Sequence, residues 1–192
     1  MRRWRRLFAV MGCALSLSGC NLVSTSSSPN VVGVGDVPLG LLEPTIPFTD
    51  YAQVRWVKHD IFLLDRSGHV VPVSRLMTAP PSLFAVLYFE TQGPDPVEMA
   101  AGISTQVPTT MTVNQATIQD GIALIDVSKA LSQISLEAQR AAVGQLVFAA
   151  ASMGATKGVR ISINQTPYSL KLASGVTASL ITPTDVAYLK KG

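Results

Sequence analysis

His59 and His69 are the only two histidines of this 192-residue chain, and each has an aspartate close by in sequence, Asp60 and Asp65. An imidazole beside a carboxylate can move protons or hold a metal, because histidine titrates near neutrality and the carboxylate can orient its ring. An isolated His/Asp pair of this kind is more often a surface pair than a centre. Ser104-Thr105 supplies hydroxyls but no matched base. The Gly-x-Ser-x-Gly elbow, the phosphate-cradling glycine loop and His-Glu-x-x-His are all missing. The residue types therefore predict no catalytic set, no metal and no cofactor.

The two cysteines, Cys13 and Cys20, leave the rest of the chain without a disulfide framework or a cysteine metal site. Cys20 has chemistry of another sort. Arg2, Arg3, Arg5 and Arg6 make residues 1–6 strongly basic, and residues 7–17 form an apolar run too short for an ordinary membrane span. Leu17-Ser18-Gly19-Cys20 closes that run and resembles the bacterial lipobox, whose cysteine is lipidated and becomes the new N-terminus. The expected organisation is a signal peptide at 1–19, lipidated Cys20 opening a Ser/Pro/Gly-rich tether over 20–50, and a domain over 51–189. An uncleaved anchor is the alternative. The protein is expected outside the cytoplasm, held by lipid on the outer face of the cytoplasmic membrane. Asn21 follows the cysteine where an Asp would mark retention, so an outer membrane is equally open to it if the host has one.

The overall pI near 9.0 reflects this leader. Removing the four leader arginines from the 15 basic residues leaves 11 against 12 acids, a formal −1. A nucleic-acid partner thus loses its electrostatic support. An apolar content of 47% with 14% charged residues suits a globular domain. Trp56 is the only tryptophan after Cys20, which is a poor endowment for stacking on sugars.

The elements that would position any site begin with a hairpin, 111–118 and 122–127, turned at Asp120-Gly121, a pair that tolerates φ > 0. A helix over 136–153 follows, with Ser135 as cap, Glu137 at its positive end and Gly154 at its stop. Leu136, Val143, Leu146, Val147, Ala150 and Met153 form its apolar stripe. Residues 159–164 alternate as a half-buried strand does. Upstream, 61–64 and 69–75 read as two strands, with Pro72 marking an edge or bulge. Residues 82–91 read as a short helix with Leu83, Phe84, Leu87 and Tyr88 inward. Residues 93–108 read as a loop. A last strand over 168–172 and a short closing helix over 183–189, capped by Thr182 or Thr184, complete the chain. The fold class is α+β: a single domain in ββαββαβ-like order, with a mixed sheet and one long and one or two short helices packed on it.

Val73 and Arg75 before a helix, Gly93-Pro94, Glu98, Gly102-Ile103-Ser104-Thr105, Val107-Pro108, then Gly121, Ile125-Asp126-Val127-Ser128, Gln145-Leu146-Val147 and a last strand at 159–164 follow one another in an order and spacing that resembles the GerMN domain of sporulation and spore-germination proteins. The resemblance covers about 60–189. Gln165 stands where the family often has Gly, and Tyr88-Phe89-Glu90-Thr91-Gln92 replaces a leucine-rich helix end. The resemblance implies a non-catalytic envelope module, shaped like small domains that assemble scaffolds. The expected partner is an envelope or membrane protein, with a cell-wall glycan or small ligand as the alternative. Asp95, Glu98 and Gln106, in the 93–108 loop, are the candidate binding residues, because irregular segments on a rigid scaffold often carry recognition. The exposed sheet face or edge is the other candidate surface. Glu98 also reads as a helix-start residue, Asp126 as an acceptor of backbone N–H groups or a ligand contact, and Gln145 as a partner of the loop backbone.

Overall fold

The computed structural model describes residues 54–190; the predicted signal peptide, Cys20 and the tether over 20–50 lie outside the described residues. The central hairpin forms from β3 (Val113–Gln119) and β4 (Ile122–Val127). Asp120 and Gly121 both take positive φ, 51° and 79°, so the turn matches the right-handed twist of its strands. After β4 a 3-10 turn (Lys129–Gln133) leads to the long helix. We label here α1 (Leu83–Gln92), α2 (Pro96–Ala101) and α3 (Leu136–Ser152). Ser135 Oγ accepts the Ala138 N–H at 3.2 Å, and Gly154 follows the end of α3 at φ 99°. β5 (Gly158–Ile163) returns parallel to β4, and β6 (Thr166–Tyr168) turns back on β5, giving a mixed sheet in the order β3-β4-β5-β6.

Register sorts this sheet into two faces. Ala116, Ile125, Ile161 and Tyr168 lie in one row across it, with Ile118, Ala123 and Val159 in the next. These face the core together with Val143, Leu146, Val147 and Ala150 of α3, all fully buried. Each such Val or Leu withdrawn from water stabilises by roughly 1.5–3 kcal/mol. Gln115, Asp126, Ser162 and Pro167 form a row on the opposite face. Gly158 is fixed by space as well as conformation, since at φ 125° an added Cβ would sit 2.6 Å from the Ile181 carbonyl oxygen.

A second, two-stranded sheet pairs β1 (Trp56–Leu64) with β2 (Val70–Thr78). Phe62 sits opposite Pro72, yet its N–H and C=O bond to Glu90 and Gln145 and not across the ladder. The pair is therefore a non-hydrogen-bonded one, and the N–H that proline lacks would have faced the outer edge. Pro72 marks an edge, as its type predicts. A small pair, β7 (Leu170–Lys171) and β8 (Thr177–Ala178), and a 3-10 turn (Ala187–Leu189) follow; Ile181 bridges to Val159 and Lys190 to Val70.

Several elements differ from expectation for identifiable reasons. The first strand begins at Trp56 and not at Ile61. Phe84 and Tyr88 of α1 point outward, 43% and 51% exposed; Leu83, Val86, Leu87 and Glu90 form the buried stripe. A carboxyl in the fourth place of an i, i+3, i+4, i+7 pattern conceals that stripe from a reading by hydrophobicity. The 93–108 loop contains α2. Leu136 is 39% exposed and drops out of the α3 stripe, while Met153 is partly buried at its far end. The expected strand over 168–172 is split between β6 and β7. The closing helix shrinks to the 3-10 turn, preceded by a reciprocal Thr182/Asp185 pair in which the Thr182 hydroxyl donates to the carboxylate at 2.6 Å.

Candidate functional site

The histidine and aspartate neighbours do not converge. Successive β1 residues point to opposite faces, so His59 is half-buried with Nε2 3.5 Å from Ser152 Oγ, while exposed Asp60 accepts the Ser74 hydroxyl at 2.6 Å. Asp65 Oδ1 accepts the Ser67 and His69 N–H groups at 2.8 and 3.0 Å and shapes the β1–β2 turn; the His69 ring lies 3.9 Å from it. Among the described residues no three His, Cys, Asp or Glu side chains are grouped to hold a metal. Ser104 pairs its backbone with Leu64 in both directions at 2.8 Å, and Thr105 Oγ1 accepts the Val107 N–H, so this dipeptide joins the loop to the edge of β1.

Asp95 and Glu98 do come together. Asp95 caps α2 by accepting the Glu98 N–H at 2.8 Å, Glu98 Oε2 accepts the Asp95 N–H at 2.8 Å, and Pro96 occupies the first turn. Arg75 of β2 then grips the same carboxylate with both terminal nitrogens, each at 2.6 Å, and reaches the Gly93 carbonyl at 3.3 Å. The guanidinium holds the Glu98 carboxyl below its usual range and is itself held above its ordinary value by that bond. At the far end Gly102 adopts φ 89°, and Ile103 N–H returns to the Glu98 carbonyl at 2.9 Å. Glu98 is thus engaged in clamping α2 to β2. Its reading as a helix-start residue stands.

What α2 offers solvent was not read from the sequence. None of its residues is buried; Val97 is 78% and Met99 55% exposed. The signal available was Asp95-Pro96-Val97-Glu98, an N-cap, a first-turn proline and a third-position Glu, which together start a helix. Gln106 is exposed and belongs to another locality. Its N–H donates to Gln145 Oε1 at 2.9 Å, and it lines a hollow of about 540 Å³ with Leu64, Arg140 and Tyr188. Arg140 is already engaged there by the Lys171 and Leu172 carbonyls at 2.7 and 2.9 Å.

Two buried polar side chains hold the site's frame. Gln145, fully buried on α3, donates to the Phe62 carbonyl at 2.7 Å and bonds Gln106 and Thr105 of the loop, as its reading as a loop partner requires. Glu90, fully buried on α1, accepts the Phe62 N–H at 2.5 Å, and its second oxygen has no partner. Burial pushes its carboxyl well above the ordinary range, against the opposing effects of the Phe62 N–H and Arg75. Asp126 accepts Asn114 Nδ2 at 2.8 Å, Ser162 Oγ at 2.6 Å and the Gln165 N–H at 2.7 Å. Burial raises its carboxyl, and the three bonds together outweigh this and set it below its usual value. The Gln165 bond accounts for a residue other than Gly at that turn: Asn164 and Gln165 stand at φ 47° and 67°, held by a carboxylate beneath them. The outer sheet face around Asp126 carries a shallow concavity of about 300 Å³ lined by Gln115, Thr117, Arg160 and Ser162.

The comparisons agree with this architecture. The chain is similar to a structure of the tandem GerMN domains of the sporulation protein GerM from Bacillus subtilis, at 22% identity and a TM-score of 0.52, covering 68% of this chain and 48% of that one. It thus spans about half the length of that tandem structure. It is also similar to the first GerMN domain of the same protein, at 22% identity and a TM-score of 0.51, covering 67% of this chain and 98% of that one. At this identity the likeness shows the fold. No curated protein matches. A family model described as "Germane: Sporulation and spore germination" matches residues 60–169. More than half of the chain fits that model, and the chain belongs to the Germane family of sporulation and spore-germination domains.

Proposed function

We propose that this protein is a lipid-anchored, non-catalytic protein-interaction module on the outer face of the membrane, with α2 as its recognition element. The observation that carries the reading is the contrast within α2: a helix fixed at both ends and clamped by Arg75, with every residue outside the core and Val97 78% exposed. An apolar side chain already immobile in water loses little further freedom when a partner covers it, which is the economy of an interface hot spot. Asp95 flanks it, and Leu17-Ser18-Gly19-Cys20 supports the anchor. The cell-wall polymer remains the second reading; the concavity beside Asp126 offers it Gln115, Arg160 and Ser162 but no aromatic ring for a sugar to stack on.

Val97→Asp together with Met99→Asp tests the recognition element. Loss of a hot spot weakens binding by about thirtyfold, or ~2 kcal/mol, so partner recovery from crosslinked cells should collapse. The melting temperature should hold, because both residues are exposed. Recovery equal to wild type, or hydrolysis of wall fragments by purified protein, removes the reading. Cys20→Ala should separately stall the precursor or free the domain from membranes. Unchanged extraction behaviour, with no acyl mass on the N-terminal peptide, would sink the anchor.

A further inference from the structure

The β1–β2 hairpin carries an exposed apolar pair at its open end: Trp56 is 59% and Leu76 56% exposed. The register places Trp56 opposite Thr78 and Lys58 opposite Leu76, so these four share one face, and the Trp56–Leu76 diagonal is within reach of a large ring. The opposite face carries Ile61 and Met77 into the core. This end is not frayed, since the Arg55 carbonyl accepts the Ala79 N–H at 2.7 Å. Arg55 and Lys58 are exposed beside Trp56; the acid on the face, Asp60, is bonded to Ser74. An indole with an apolar body and one N–H, a leucine, and basic side chains with long apolar stems are what the headgroup layer of a bilayer accommodates.

The chain itself says which surface is near. Residues 21–53 join Cys20 to Val54, and Val54 is two residues from Trp56. Fully extended, such a stretch reaches about 120 Å at most, so an acyl chain on Cys20 keeps the bilayer within reach of this end of the domain.

We propose that the open end of the β1–β2 hairpin is a second membrane contact, in which Trp56 and Leu76 enter the headgroup layer and Arg55 and Lys58 meet anionic headgroups. It rests on the lipid-anchor reading. Each basic residue near an anionic surface contributes about fivefold to partition, and the anchor supplies the proximity that such modest terms need. Contact here would also fix which way the domain faces.

Trp56 is its own reporter, being the only tryptophan after Cys20. The full chain, purified from membranes, is reconstituted in vesicles of phosphatidylglycerol and phosphatidylcholine, with and without brominated acyl chains. Acyl mass on the Cys20 peptide is measured on the same sample. Brominated lipid should quench Trp56 emission by about half or more, since interfacial tryptophan lies at the headgroup level. Leu76→Asp and Lys58→Glu, both at exposed positions, should each abolish most of that quenching. Acyl mass with no quenching overturns this contact while sparing the anchor, and leaves the face to a protein. Quenching that both variants retain overturns the assigned face. Absence of acyl mass removes the anchor and this contact with it.

Discussion

Val143→Asp should give a chain with no cooperative thermal transition, and Leu146→Asp should do the same. Both side chains are fully buried on α3, which packs against β1, α1 and β5. An unpaired carboxylate there loses its hydration and finds no cation, and the penalty is several kcal/mol after relaxation. Lost packing adds about 2–4 kcal/mol. A domain of this size is held by about 5–15 kcal/mol in all, so the native state is not retained. Leu136→Asp is the internal control, because Leu136 is 39% exposed in the first turn of the same helix. Circular dichroism on heating distinguishes them. A wild-type melt in either buried variant would mean that α3 turns another face to the sheet.

The second large effect is expected at Gln145→Leu. The leucine fills the space but can neither accept from Gln106 N–H nor donate to the Phe62 carbonyl, which stand 2.9 and 2.7 Å from the amide. Backbone groups left unpaired away from water cost about 1–3 kcal/mol each, so a loss of about 2–4 kcal/mol is expected. For a domain of this length that is roughly a 10 °C fall in Tm. Glu90→Gln should behave in the opposite sense as pH rises, since the amide oxygen still accepts Phe62 N–H but nothing ionises. The sign follows from the raised carboxyl. Above pH about 4.5 an unfolded glutamate releases its proton while native Glu90 keeps it, so stability falls as pH rises toward the native value. Tm measured from pH 5 to pH 8 should therefore decline more in wild type than in Glu90→Gln. Parallel profiles would show that Glu90 is already ionised in the native protein.

The parts of the fold governed by local signals were legible. Ser135 and Gly154 delimit α3 because capping is decided within a few residues, and Asp120-Gly121 sets the central hairpin because only certain residues accept its backbone. α1 lies where expected, with Leu83 and Leu87 inward, but Val86 and Glu90 take the inward places expected for Phe84 and Tyr88. Glu90 belongs to that face only because Phe62, 28 residues away, presents an N–H to it. α2 was hidden behind its glycines and prolines, although its capping box was present in the letters. At the candidate site, Asp95 and Glu98 were found as charges, and their use was not. The grip of Arg75 on Glu98 spans 23 residues, and no local rule encodes it. Val97 and Met99 were missed because a side chain's exposure on a short helix depends on what the rest of the chain leaves uncovered.

Phe62 waits for its partners. Its N–H is taken up 28 residues downstream and its carbonyl 83 residues downstream, by side chains of two different helices. A two-stranded hairpin alone is marginal in water, so β1 and β2 gain little permanence until α3 exists to close over them. Contacts that distant in sequence form late and slowly. The β1–β2 hairpin, although the first part to be made, cannot complete its native bonding until α3 is present. For a chain exported behind a signal peptide, as proposed here, that dependence has a use: the hairpin would complete its bonding only after α3 had also crossed the membrane.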